Sequence, residues 1–300
     1  MCIRLLTILC IAAMTVLGQE SGRLIVTAEP KDNHPLPVLE RDDITAEVAN
    51  KPGQVVSWTP LTGAQAGLQL YIVIDDADST TIGNQFGDLK KFINSQPGTT
   101  QIGIAYLRYG SAQIAQAPTT DHASAVHALR LPLGEPGIDG SPYIALQDLI
   151  KKWTPTNERR EILAIMSGID PYYTSPDMFD PYLAGAVSAA QKGNIVVSSI
   201  YYSSRGHFGH SFFRITWGQN YLSMLDEDLG GEFYWEGTHN PVAFQPFLSE
   251  FGNWLNHQYL LTVRSDVPRK PELEPVKVST PKPNVSLVAA SKVYLAGAAH

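Results

Sequence analysis

Residues 75–80, DDADST, set three aspartates, a serine and a threonine directly after the apolar run LYIVI. Two registers can be read there. In the first, Asp75, Ala77 and Ser79 stand at the places of a D-x-S-x-S loop, whose carboxylate and two hydroxyls would surround a hard cation. Magnesium prefers such oxygen ligands in octahedral geometry and keeps several waters. In the second, Asp76, Asp78 and Thr80 make a D-x-D-x-T. A third reading needs no ligand at all, because Asp, Ser and Thr ahead of a helical run satisfy its free amides.

The elements around this stretch decide where it lies. LYIVI reads as a buried strand, and TIGNQFGDLKKFINS follows with Ile82, Phe86, Leu89 and Ile93 at helical spacing. QIGIAYLRYG and SAQIAQA are strands, SPYIALQDLIKKW a helix, and EILAIMS a strand. PDMFDPYLAGAVSAAQKG is a helix stopped at Gly193, NIVVSSIYY a strand, and YLSMLDEDLGG and VAFQPFLSEFGNWLNHQ close as helices. Such alternation predicts an α/β fold with a doubly wound, mostly parallel sheet flanked by helices. Side chains at the carboxyl ends of its strands face the crevice where open α/β sheets bind ligands, which is where the aspartates fall.

The chain ends read differently. RLIVTAE and QVVSWT are strands beside the turn-rich KDNHPLP and a KPGQ hairpin signal. YLLTVRS is a strand, VPRKPELEP a proline-rich connector at 267–275, and VKVSTPKPNVSLVAASKVYLAG two more strands. The expected organisation is a signal peptide at 1–18, an N-terminal β module at 19–65, an α/β domain at 66–256, and C-terminal strands at 257–300 that complete the β module. The signal reading rests on Arg4 ahead of the uncharged run Leu5 to Leu17. That run is shorter than the roughly 20 residues of a spanning helix, and no later segment qualifies. Both cysteines, Cys2 and Cys10, lie inside it, so a processed chain would hold none and would depend on its core for stability. The expected location is periplasmic or extracellular. With net charge −7 and no basic cluster to track phosphates along a backbone, nucleic acid is not an expected partner.

The order of elements resembles the von Willebrand factor type A domain, and more closely the exported bacterial proteins related to it. The anchors are LYIVIDDADS, GSPYIAL, REILAIMSGID, DLGGEFYW and HQYLLTV. The resemblance implies a metal-ion-dependent adhesion site for Mg2+ or Mn2+ with Asp75, Ser79 and Ser141 among its ligands. Ala77 lacks the first hydroxyl and Gly168 stands where a second aspartate belongs, while Asp170 lies two residues further on. The implied site is therefore degenerate, and any ion would be held weakly. The implied function is non-enzymatic binding of a protein or cell-surface ligand.

The second register resembles haloacid dehalogenase-type phosphohydrolases, which would make Asp76 the nucleophile and Asp78 the acid/base. MSG at 166–168 would then serve as a phosphate-binding motif, although the late acidic motif is hard to place. A structural scaffold is the third reading. HFGH at 207–210, with His239 or His257, has spacing too common to indicate zinc. Ser141 sits in GSP, with proline where an oxyanion-forming amide would follow, so a serine hydrolase is not expected. DPYYTSPDMFDPY at 170–182 is a tyrosine-rich loop suited to contact or to packing.

Overall fold

A computed structural model of the chain describes residues 20–31, 34–63, 66–133, 140–173, 179–265 and 271–296. The expected signal peptide lies outside the described residues, as do 174–178 of the tyrosine-rich loop and 267–270 of the connector.

Three strands come first: β1 (Glu20–Pro30), β2 (Thr45–Val48) and β3 (Lys51–Pro60). The turn between β2 and β3 is Ala49-Asn50, both residues left-handed, and not KPGQ, which lies within β3. A two-residue turn with positive φ at both positions matches the twist of the strands it joins, and asparagine accepts that conformation without glycine's help.

The α/β region follows. β4 (Leu68–Asp75) leads through a 3-10 turn, Thr80–Gln85, into α1 (Phe86–Ser95). β5 (Gln101–Arg108), β6 (Ser111–Thr119) and the short α2 (His122–His127) come next, then α3 (Pro142–Lys152) and β7 (Arg159–Met166). α4 (Pro181–Gly193) ends with Asn194 in the left-handed conformation, so the stop falls one residue after the expected Gly193. β8 (Ile195–Tyr201) precedes α5 (Phe212–Leu229), β9 (Phe233–Tyr234) and α6 (Gln245–Asn256). The sheet order is β6-β5-β4-β7-β8-β9, parallel except for the antiparallel edge strand β6. β4 is buried along its whole length because helices cover both faces. Leu70, Ile72 and Ile74 pack with α1 and α6, while Tyr71 and Val73 pack with α3, α4 and α5.

α5 begins nine residues earlier than YLSMLDEDLGG suggested. Phe212 and Phe213 face solvent at its start, and Gly218 interrupts its apolar stripe, so the periodicity of the first half is weak. Gly218 is required by packing: a Cβ there would lie 2.4 Å from the Ser167 carbonyl oxygen.

The chain closes with β10 (Gln258–Ser265), β11 (Glu272–Ser279), β12 (Val285–Ala289) and β13 (Lys292–Leu295). These four pair with β1, β2 and β3 in a seven-stranded antiparallel sheet, order β12-β1-β10-β3-β2-β11-β13. Residues 272–275, expected in the connector, form the first half of β11. The proline is tolerated because β11 changes partner there, pairing with β13 up to Pro275 and with β2 from Val276. The sheet curls until β13 lies over β1, where a Cβ on Gly22 would be 2.4 Å from Val293.

Candidate functional site

The ends of β4, β7 and β8 bring Asp75, Ser167 and Tyr202 to one face of the molecule, and the loops after them hold the predicted residues. Each aspartate of DDADST meets a different fate. Asp75 turns back on its own loop, its Oδ1 accepting the Ala77 amide at 2.9 Å. Asp76 accepts both Arg130 nitrogens, at 2.7 and 2.9 Å, together with the Leu133 amide at 3.2 Å. The Arg130 guanidinium also lies 3.7 Å above the Tyr106 ring, and the Tyr106 hydroxyl accepts the Arg130 amide at 2.6 Å. Sequence reasoning missed this arginine. Its signal is that it is the sole lysine or arginine between Arg108 and Lys151.

Asp78 is wholly buried and neither of its oxygens has a hydrogen-bond partner among the described residues. Burial, then the Asp75 charge, push its carboxyl well above the usual carboxylate range. The Ser167 backbone opposes this, but it lies outside hydrogen-bonding geometry. A buried acid without a counter-charge favours its protonated form. Above it the Tyr201 hydroxyl is likewise buried without a partner, and burial raises it to about 12. The segment around Asp78 is tied to the loop after β8, with Ser79 donating its amide to Ser203 at 3.1 Å and Arg205 donating to Ala77 at 2.8 Å.

Ser79 caps the 3-10 turn, its Oγ accepting the Thr81 amide at 3.4 Å and lying 2.9 Å from the Thr81 hydroxyl. Ser141 caps α3, accepting the Ile144 amide at 3.3 Å, and donates its hydroxyl to Asp170 Oδ2. Asp170 also accepts the Tyr172 amide at 2.8 Å, and burial raises its carboxyl. The structure thus brings Ser141 and Asp170 together as partners of each other. Gly168 has φ +71°, and a Cβ there would stand 2.3 Å from the Gly218 carbonyl oxygen and 2.7 Å from Leu222. The position of the absent second aspartate is filled by α5. Among the described residues no three His, Cys, Asp or Glu side chains cluster to hold a metal ion. The donors of the implied site are engaged with one another and with their own turns. The side chain of His207 lies outside the described residues, and His210 and His239 are exposed.

The face also exposes large apolar side chains. Twelve large apolar side chains are exposed among the described residues, and nine of them stand at the carboxyl end of the sheet, seven on loops and two at the start of α5. Phe212 (66% exposed) and Phe213 (70%) pack edge to face at the start of α5, and Trp235 (52%) stacks on Phe233 after β9. Leu131 and Leu133 follow Arg130, and Tyr109, Tyr172, Phe179 and Val242 complete the set.

No family model matches the chain, and no curated protein matches it. Among solved structures it is similar to an aerotolerance-related membrane protein from Bacteroides fragilis, 12% identical over 63% of this chain and 99% of that one, with a TM-score of 0.46. It is also similar to the SpRpn10 VWA domain, 14% identical over 61% and 94%, TM-score 0.41. A third is the ArnB paralog VWA2 from Sulfolobus acidocaldarius, 8% identical over 92% and 76%, TM-score 0.41. Two of the three carry the type A name. Likeness at this level does not decide a fold, which rests on the strand order and helix layers described above.

Proposed function

We propose that this protein is an exported, non-enzymatic binding protein of type A-like architecture. It contacts a protein or cell-surface ligand through the loops at the carboxyl end of its α/β sheet, and divalent cations are dispensable. The observation that carries this reading is the concentration of nine exposed apolar side chains on those loops and the start of α5, while Asp75, Asp76, Asp78 and Asp170 are buried. Large exposed apolar side chains gathered on one face favour interaction there, and aromatic anchors supply most of the energy of protein interfaces. Export is supported by the run Leu5 to Leu17 after Arg4. No helix among the described residues is long and apolar enough to cross a membrane.

The phosphohydrolase reading gains nothing from the geometry. Asp76 spends its oxygens on Arg130 and the Leu133 amide, and Asp78 has no access to solvent. A nucleophile needs an accessible lone pair and an acid/base needs a route to its proton. The scaffold reading leaves the exposed loop aromatics without a role.

A photo-crosslinking side chain placed at Phe213 tests the proposal against the same group placed at Val56 on β3. In extracts of the native envelope, a discrete adduct from position 213 and none from position 56 is the expected result. Equal labelling from both positions, or none from position 213, overturns it.

A further inference from the structure

The joint between the two sheets, at the end of the molecule opposite these loops, holds a cleft of about 370 Å3. Three arginines line it, Arg23 of β1 and Arg159 and Arg160 at the start of β7, and Glu158 is the single acid among the lining residues. In a chain of net charge −7 this is a local reversal of sign.

The two β7 arginines are short of counter-charge. Arg159 is buried and gives Nη1 to the Leu255 carbonyl and to Gln258 Oε1, while its Nε makes no hydrogen bond. Its ion-pair partner Glu161 stands 3.6 Å away, outside hydrogen-bond distance, and burial raises that carboxyl to about 7, so the compensation is incomplete. Arg160 gives Nη2 to the Gly193 carbonyl, and desolvation lowers both arginines. Arginines do not lose their proton in proteins, so this deficit is carried as positive charge. Arg23 is exposed on β1, and Glu158 divides its charge with the Gln101 amide, 2.8 Å from its Oε2.

We propose that this cleft binds the dianionic phosphate group of a small organic phosphate, held by Arg23 and Arg160, with the buried Arg159 adding its charge from the other face of β7. Three guanidinium groups less Glu158 and a Glu161 that is about half ionised at neutral pH leave about one and a half positive charges, and a phosphomonoester carries roughly −1.5 to −2 there. The planar guanidinium fork matches phosphate oxygens two at a time, which a lysine cannot do. Ligand pockets span about 300 to 1,000 Å3, so the cleft has room beyond a bare phosphate. Ile25, Leu61 and Leu260 give that extra room an apolar wall.

Phenyl phosphate is the probe, with benzoate as the singly charged control and sodium chloride at matched ionic strength as the blank. Wild-type protein should melt several degrees higher with phenyl phosphate than with either control. Arg23→Gln changes an exposed side chain and Arg160→Gln a half-buried one, so either variant can be read even if the other folds poorly. Each should weaken the affinity about tenfold or more, since a charge-assisted hydrogen bond is lost. The proposal is overturned if phenyl phosphate stabilises no better than benzoate or chloride, or if its effect is the same in both variants as in wild type. The site is remote from the carboxyl-end loops, so this result is independent of the binding reading made for them.

Discussion

Replacing Gly168 with aspartate would supply the carboxylate that the type A resemblance leaves missing, and the structure predicts that it will fail. Gly168 holds φ +71°, in the left-handed region. An L-residue there costs about 1–2 kcal/mol from its own backbone. Steric contact costs more, because the new Cβ would lie 2.3 Å from the Gly218 carbonyl oxygen and 2.7 Å from Leu222. Neither neighbour can yield cheaply, since one is backbone and the other is buried in the core of α5. Overpacking of this kind adds about 1–3 kcal/mol, so Gly168→Asp should lose about 3 kcal/mol or more. For a chain of this size that is a fall in melting temperature of roughly 10 °C. Urea and thermal melts with and without magnesium or manganese would measure it. A Gly168→Asp protein as stable as wild type, or one newly stabilised by either ion, would refute the view that α5 has closed the site.

Three further outcomes follow from buried polar groups. Asp76→Asn should destabilise by about 2 kcal/mol, less than a fully buried pair would lose because Arg130 reaches solvent. Amide exchange should rise selectively at residues 130–133, and uniform protection there would show that the ion pair does not hold the loop. Glu161 has its carboxyl raised from 4.5 to about 7 by burial, so the folded state binds the extra proton between those values. Its contribution to stability is present below 4.5 and is lost as pH rises through about 7, a change of about 3 kcal/mol. Glu161→Gln should flatten the pH dependence of urea stability across that window, and an unchanged slope would assign it to other groups. Ser141→Ala removes the α3 cap and a donor to Asp170, for about 1–2 kcal/mol, with no effect on the response to magnesium. A magnesium response present in wild type and absent in this variant would restore Ser141 as a ligand.

The α/β order was legible because the central strands are dominated by large apolar residues and each long helix but one keeps a clean stripe. The exception, α5, hides its first half behind solvent-facing phenylalanines and a glycine chosen for close packing. The β2–β3 turn was misplaced because KPGQ has the composition of a turn, whereas Ala49-Asn50 has its conformation. At the candidate site the sequence located Asp75, Ser79, Ser141 and Asp170 on one face but not what each would touch. Arg130, which pairs with Asp76, and Gly218, which fills the space beside Gly168, lie tens of residues from their partners, and contacts over such separations leave no local pattern. Composition also concealed that Asp78 is buried without a hydrogen-bond partner, since it reads like Asp75 and Asp76, which have them.

The central claim is that ligand is held by the exposed apolar loops without a divalent ion. Its most direct test is retention of the partner cross-linked at position 213, compared in EDTA and in magnesium, for wild type and for a Phe212→Ser/Phe213→Ser/Trp235→Ser variant. The account predicts equal retention by wild type in both conditions and loss in the variant. Retention that needs magnesium, or that survives the triple substitution, would contradict it.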